Sequence, residues 1–214
     1  MSNSSPPNVT ARQRRAGLIY IALSAPFALG LWLAIRDFAP PLAGMEITSA
    51  RMEFALKCCS VAALFCLVLG IEAVAHERLT SPAFDPLSGF ETRRLRVNLR
   101  YLQNTLEQFL VFAVGLFGLS LYSADGVGMR AVEATTIVWI LARFAFWIGY
   151  HYSAAMRGLG APGVMMSLLV LIYVVARFGY EIAGLPGAIA PVLAFLLIEV
   201  FLFWATRPHD RVRE

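Results

Sequence analysis

Six apolar runs divide the chain, covering roughly 16–35, 52–75, 97–122, 131–155, 164–180 and 188–206. Each is close to the ~20 residues a helix needs to cross a bilayer. Lipid offers backbone amides and carbonyls no water to bond, so such segments must satisfy themselves as helices. Composition agrees: 58% of the residues are hydrophobic, 15% are charged, and mean hydropathy is +0.66. Soluble domains carry about 25% charge. The expectation is an all-α integral membrane protein of six spans, with a single transmembrane domain over 16–206. A disordered segment over 1–15 and a short tail over 207–214 flank it. The first run is too long for a signal-peptide core and no small-residue cleavage site follows it, so it reads as an uncleaved span. Pro26 marks a place where that span can kink.

The net charge of +4 is carried almost wholly by arginine, with Lys57 the single lysine. In a soluble chain this balance would raise nucleic acid as a partner. Here the arginines gather at span ends, which is a topology signal. Arg12, Arg14, Arg15, Arg78, Arg93, Arg94, Arg96, Arg157, Arg207, Arg211 and Arg213 fall on one side. The other side has Arg36, Arg51, Lys57 and Arg130, diluted by acidic residues. Both termini and the 76–92 connection are therefore expected in the cytoplasm. Cys58, Cys59 and Cys66 lie together in one apolar run and read as packing residues. No nucleotide-binding loop or zincin motif is present, and no metal is expected.

The third run breaks its own pattern. Arg100, Asn104 and Glu107 lie along one helical face at i, i+4 and i+7. A carboxylate at such a depth costs about 2.5–3.5 kcal/mol unless it is paired or wetted. The fourth run carries a matching stripe, Arg143, Tyr150 and Arg157, seven residues apart. If the two spans pack antiparallel, Glu107 and Arg143 come to similar depth, with an ion pair between them as one outcome. The stripes together would form a net cationic pocket. Guanidinium forks suit carboxylate or phosphate, and a lone carboxylate among them suits an ammonium. A small zwitterion with excess carboxylates, such as glutathione, fits.

These residues resemble the MAPEG family, the membrane-associated proteins of eicosanoid and glutathione metabolism. The resemblance rests on R-x-x-x-N-x-x-E at Arg100, Asn104 and Glu107 with Phe109 downstream, and on R-x6-Y-x6-R at Arg143, Tyr150 and Arg157. It covers about His76 to Gly163. It implies a four-helix bundle, here about 52–182, assembling as a homotrimer; the first and sixth spans extend beyond those four and suggest a divergent bacterial-type member in an inner membrane. Glutathione would bind as co-substrate between subunits, held by Arg100, Asn104, Glu107, Arg143 and Tyr150. Arg157 would be the catalytic residue, activating the thiol. His76 or Arg78 would supply a further basic group. The implied activity is a glutathione transferase or peroxidase acting on lipophilic electrophiles that enter from the bilayer. A non-catalytic lipid-binding or scaffold protein of the same fold is the alternative, and a small proton-coupled transporter built on Glu107 a third. Phe146 stands where glutathione-binding members can carry tyrosine, and Gln108 where an aromatic often follows the glutamate.

Overall fold

The computed structural model describes residues 7–206, and every regular element among them is helical. The expected disorder of residues 1–6, and the tail with Arg207, Arg211 and Arg213, lie outside the described residues. Five segments are long and apolar enough to cross a membrane. The last of these, Met156–Ala205, is 50 residues long and contains the final two runs read from the sequence. The chain divides into two compact units, Met1–Leu171 and Ile172–Glu214.

Helix α1 spans Pro7–Phe38. It therefore begins well before the first apolar run, and residues 7–15 are helical rather than disordered. Proline suits a helix start and arginine is a good helix former, so Arg12, Arg14 and Arg15 extend the helix. Pro26 lies inside α1 without interrupting it.

Helix α2 covers Thr48–Leu79, with a π-helical segment at Ala63–Val68. Ala55, Cys58, Cys59, Ala62 and Cys66 form a small-residue stripe along it and are buried. Small side chains let neighbouring backbones approach, which is how membrane helices gain packing contact. The stripe meets Phe112, Leu116, Met129, Val132 and Trp139 in one core. There Phe112 and Trp139 stack at 4.5 Å between centroids. All three cysteines are free and buried.

Two short 3-10 turns, Pro82–Phe84 and Pro86–Ser88, lead to helix α3, Arg93–Tyr122. Thr92 caps α3, its hydroxyl accepting from the Leu95 amide at 2.9 Å and donating to Glu77 Oε1 at 2.8 Å. Glu77 also pairs with Arg94 at 3.2 Å. The cap fixes where α3 starts and ties it to the end of α2.

Helix α4 spans Gly126–Tyr152. The Asp125–Gly126 pair is the start of this helix. Asp125 Oδ1 accepts from the amides of Val127 and Gly128, both at 2.9 Å. At the other end the chain leaves the helix at Ser153, whose backbone is extended (φ −158°, ψ 157°). A 3-10 segment, Met156–Gly160, follows and runs into helix α5, Ala161–Ala205.

Within Ile172–Glu214, α5 is broken at Ala183 and Gly184, where Gly184 takes φ +61°. That sign of φ is cheap only for glycine. Residues eight apart in a straight helix are separated by about 12 Å along the axis. Here a Cβ on Gly179 or on Gly187 would overlap the other's carbonyl, so the chain doubles back. This break falls between the apolar runs 164–180 and 188–206, and it restores two spans within one long stretch.

Candidate functional site

Arg100, Asn104 and Glu107 from α3, Arg143 and Tyr150 from α4, and Arg157 from the 3-10 segment all line one cavity of about 600 Å3. Ile21 of α1 closes part of its wall. Three arginines, Arg100, Arg143 and Arg157, against one carboxylate, Glu107, give the lining a formal charge of +2.

Arg143 is the best-fixed member. Its side chain is fully buried, 0% exposed. Nη1 donates to Asn104 Oδ1 at 2.9 Å and Nη2 to the Gly160 carbonyl at 3.0 Å. The Phe146 ring lies 5.0 Å from the guanidinium carbon and the Trp139 ring 5.9 Å. Buried charge is tolerated only with such partners. Nε keeps no hydrogen-bond partner. The anticipated ion pair with Glu107 is not formed. Asn104, one turn nearer the start of α3, takes the guanidinium instead. Phe146 offers it a π face, which accounts for an apolar residue at that position.

Arg157 does not share a helix with Tyr150. Tyr150 is on α4, but the helix ends at Tyr152, so the seven-residue stripe does not continue to Arg157 on one helix. The reason is local. Ser153 is extended and its hydroxyl accepts from the Met156 amide at 3.2 Å, starting the 3-10 segment. The chain then folds back on Gly149, where an added Cβ would stand 2.5 Å from the Met156 carbonyl oxygen. The fold-back returns Arg157 to Tyr150, its guanidinium carbon 5.9 Å from the phenol ring centroid. Arg157 is exposed and makes no hydrogen bond or ion pair among the described residues.

On α3, Arg100 and Glu107 do not meet directly. Arg100 Nη1 donates to Gln103 Oε1 at 3.1 Å, and Gln103 Nε2 donates to Glu107 Oε1 at 3.2 Å. Gln103 also lines the cavity, although it belongs to neither motif. Its spacing was the signal: i+3 from Arg100 and i+4 to Glu107 put it on the same face. Arg100, Gln103 and Glu107 are all exposed, so this side of the cavity is open in the single chain.

His76 and Arg78 stand apart. Both belong to the last turn of α2, where His76 lies 3.6 Å from Glu72, and neither lines the cavity. What holds α2, α3 and α4 together beneath the site is a set the motif did not contain. Asn98 Oδ1 accepts from Trp147 Nε1 at 2.9 Å and lies 3.0 Å from His151 Nε2. Tyr101 is fully buried, stacks on Trp147 at 4.5 Å, and donates its hydroxyl to the Cys66 carbonyl at 2.9 Å. That carbonyl lies in the π-helical segment of α2, where the helix ladder is locally loosened.

No curated protein and no solved structure matches the chain. The family comparison does find a match, over residues 55–177. That stretch contains α2 from Ala55 onward, α3, α4, the 3-10 segment and the start of α5, and so every residue of the cavity except Ile21. It is more than half of the 214 residues, and the chain belongs to the MAPEG family.

Proposed function

We propose that this protein is a membrane-embedded glutathione-dependent transferase or peroxidase acting on lipophilic electrophiles. The observation that carries the reading is the convergence of Arg100, Asn104, Glu107, Arg143, Tyr150 and Arg157 on one cationic cavity. The donor set suits the co-substrate. Glutathione supplies the thiol nucleophile, two carboxylates and one ammonium. Arg100 receives a carboxylate and Glu107 the ammonium, and Gln103 keeps those two side chains in register. Arg143 is occupied by Asn104 and Gly160, so its role is to fix Asn104 and add positive potential rather than to grip the ligand directly. Arg157, whose guanidinium is free, stabilises negative charge on sulfur, and the Tyr150 hydroxyl donates beside it. In conjugation the S–C bond forms as the electrophile's leaving group departs with its electron pair, and the thiol proton passes to water.

The open side of the cavity, with Arg100, Gln103 and Glu107 exposed, supports assembly as a homotrimer in which a neighbouring subunit covers it. The bilayer supplies the electrophile. Purified protein should bind glutathione and turn over an aryl halide, and Arg157→Ala should lose turnover while keeping binding. Failure of wild-type protein to bind glutathione would reject the reading. It would leave a non-catalytic protein of the same fold.

A further inference from the structure

Helix α1 lies wholly outside the family match, yet it borders the site. It packs on the 3-10 segment at a pair of glycines. A Cβ on Gly158 would stand 2.8 Å from the Gly17 carbonyl oxygen, so no larger residue fits without displacement. Beside this contact is a second cavity of about 480 Å3, lined by Gln13, Arg14 and Leu18 from α1 and by Ala154, Ala155 and Arg157 opposite. Among the described residues no carboxylate lines it. Among the described residues neither Arg14 nor Arg157 has an ion pair or hydrogen bond. Two unpaired, solvent-exposed guanidiniums border one open groove, and an anion between them removes their mutual repulsion.

Deeper along α1 the chemistry changes. Leu23, Phe27, Ala28 and Leu31 line a third, open cavity of about 400 Å3, bordered on the α4 side by Val138 and Leu141. Its lining is apolar apart from Ser24. From Arg14 to Phe27 the helix rises about 20 Å. One helix thus presents a cationic end and then an apolar slot, as a molecule with an anionic head and a hydrocarbon tail requires.

We propose that α1, α4 and the 3-10 segment form a site for an anionic phospholipid. Its phosphate lies between Arg14 and Arg157, and an acyl chain lies along the apolar cavity. Guanidinium forks bind phosphate oxygens in pairs and are weakly hydrated, which suits them to a membrane surface. The proposal does not rest on glutathione binding. Arg157, Ile21 and Gly158 border both cavities, so phosphate held by Arg157 competes with a thiolate for the same guanidinium.

The test uses delipidated full-length protein in neutral detergent, titrated with long-chain phosphatidylglycerol or phosphatidylcholine while unfolding is followed thermally. Phosphatidylglycerol should stabilise the protein and phosphatidylcholine should not. Arg14→Gln should weaken the apparent affinity about fivefold to tenfold. Arg15→Gln, at an exposed arginine that does not line the cavity, should leave it unchanged. Dihexanoyl phosphatidylglycerol, with the same head and too little chain, should bind more weakly. Equal responses to the two long-chain lipids would overturn the proposal, as would equal losses in the two arginine variants. Inorganic phosphate matching the lipid would also overturn it, reducing the site to one for a free anion.

Discussion

Asn104 accepts a hydrogen bond from Arg143 at 2.9 Å, joining α3 to α4 at a guanidinium that water does not reach. Asn104→Leu strips that partner from a buried cation. The expected cost is about 1–3 kcal/mol, read as a fall in unfolding midpoint in micelles. Adding Arg143→Met removes the stranded charge, and the double variant should be more stable than Asn104→Leu alone. Additive losses in the double variant would show that the two side chains act separately.

Arg100 and Glu107 are exposed on their helix, so Arg100→Ala and Glu107→Gln should leave the unfolding midpoint near that of wild type. Each should weaken glutathione binding by roughly tenfold or more, the worth of one charge-assisted hydrogen bond. Isothermal titration calorimetry checks this. Binding should also weaken as salt is raised, since this side of the cavity is open to solvent.

Tyr101→Phe deletes only the hydroxyl that bonds the Cys66 carbonyl, and should cost about 1 kcal/mol. Tyr101→Ala also removes the ring stacked on Trp147 and should cost about 3–5 kcal/mol. The gap between the two variants, measured by denaturation, separates the hydrogen bond from the packing.

Gly160→Ala places a Cβ 2.9 Å from the Ala142 carbonyl oxygen and into the Phe146 side chain. The 3-10 segment must shift, carrying with it the carbonyl that Arg143 bonds. Stability should fall by about 1–3 kcal/mol. Turnover should fall further than glutathione affinity, because Arg157 is on the segment that moves and Arg100 and Glu107 are not. A matched loss in both would contradict this.

The sequence made the site legible where geometry is local. Arg100, Asn104 and Glu107 share one helix, so spacing alone put them on one face. Arg143 was suspect because an arginine inside IVWILARFAFWIGY has no cheap place in lipid. What spacing could not show was which partner Arg143 would choose. Glu107 and Asn104 are one turn apart, and a small axial offset between α3 and α4 decides between them. The position of Arg157 was illegible for a related reason. A repeat of seven suggests one helix, but Ser153 ends α4 and a turn returns Arg157 to Tyr150 by another route. The hairpin in α5 was legible because glycine and proline mark breaks. The disordered reading of residues 7–15 failed because polar composition alone does not forbid a helix when a long apolar helix follows without a stop.

The π-helical segment at Ala63–Val68 has one more consequence. A wide turn holds an extra residue compared with the regular turn it replaces. Shortening α2 by a single residue there would let the helix close into ordinary winding, a deletion that most transmembrane helices could not absorb. The loss would fall on Tyr101, left facing a carbonyl already claimed by its own helix.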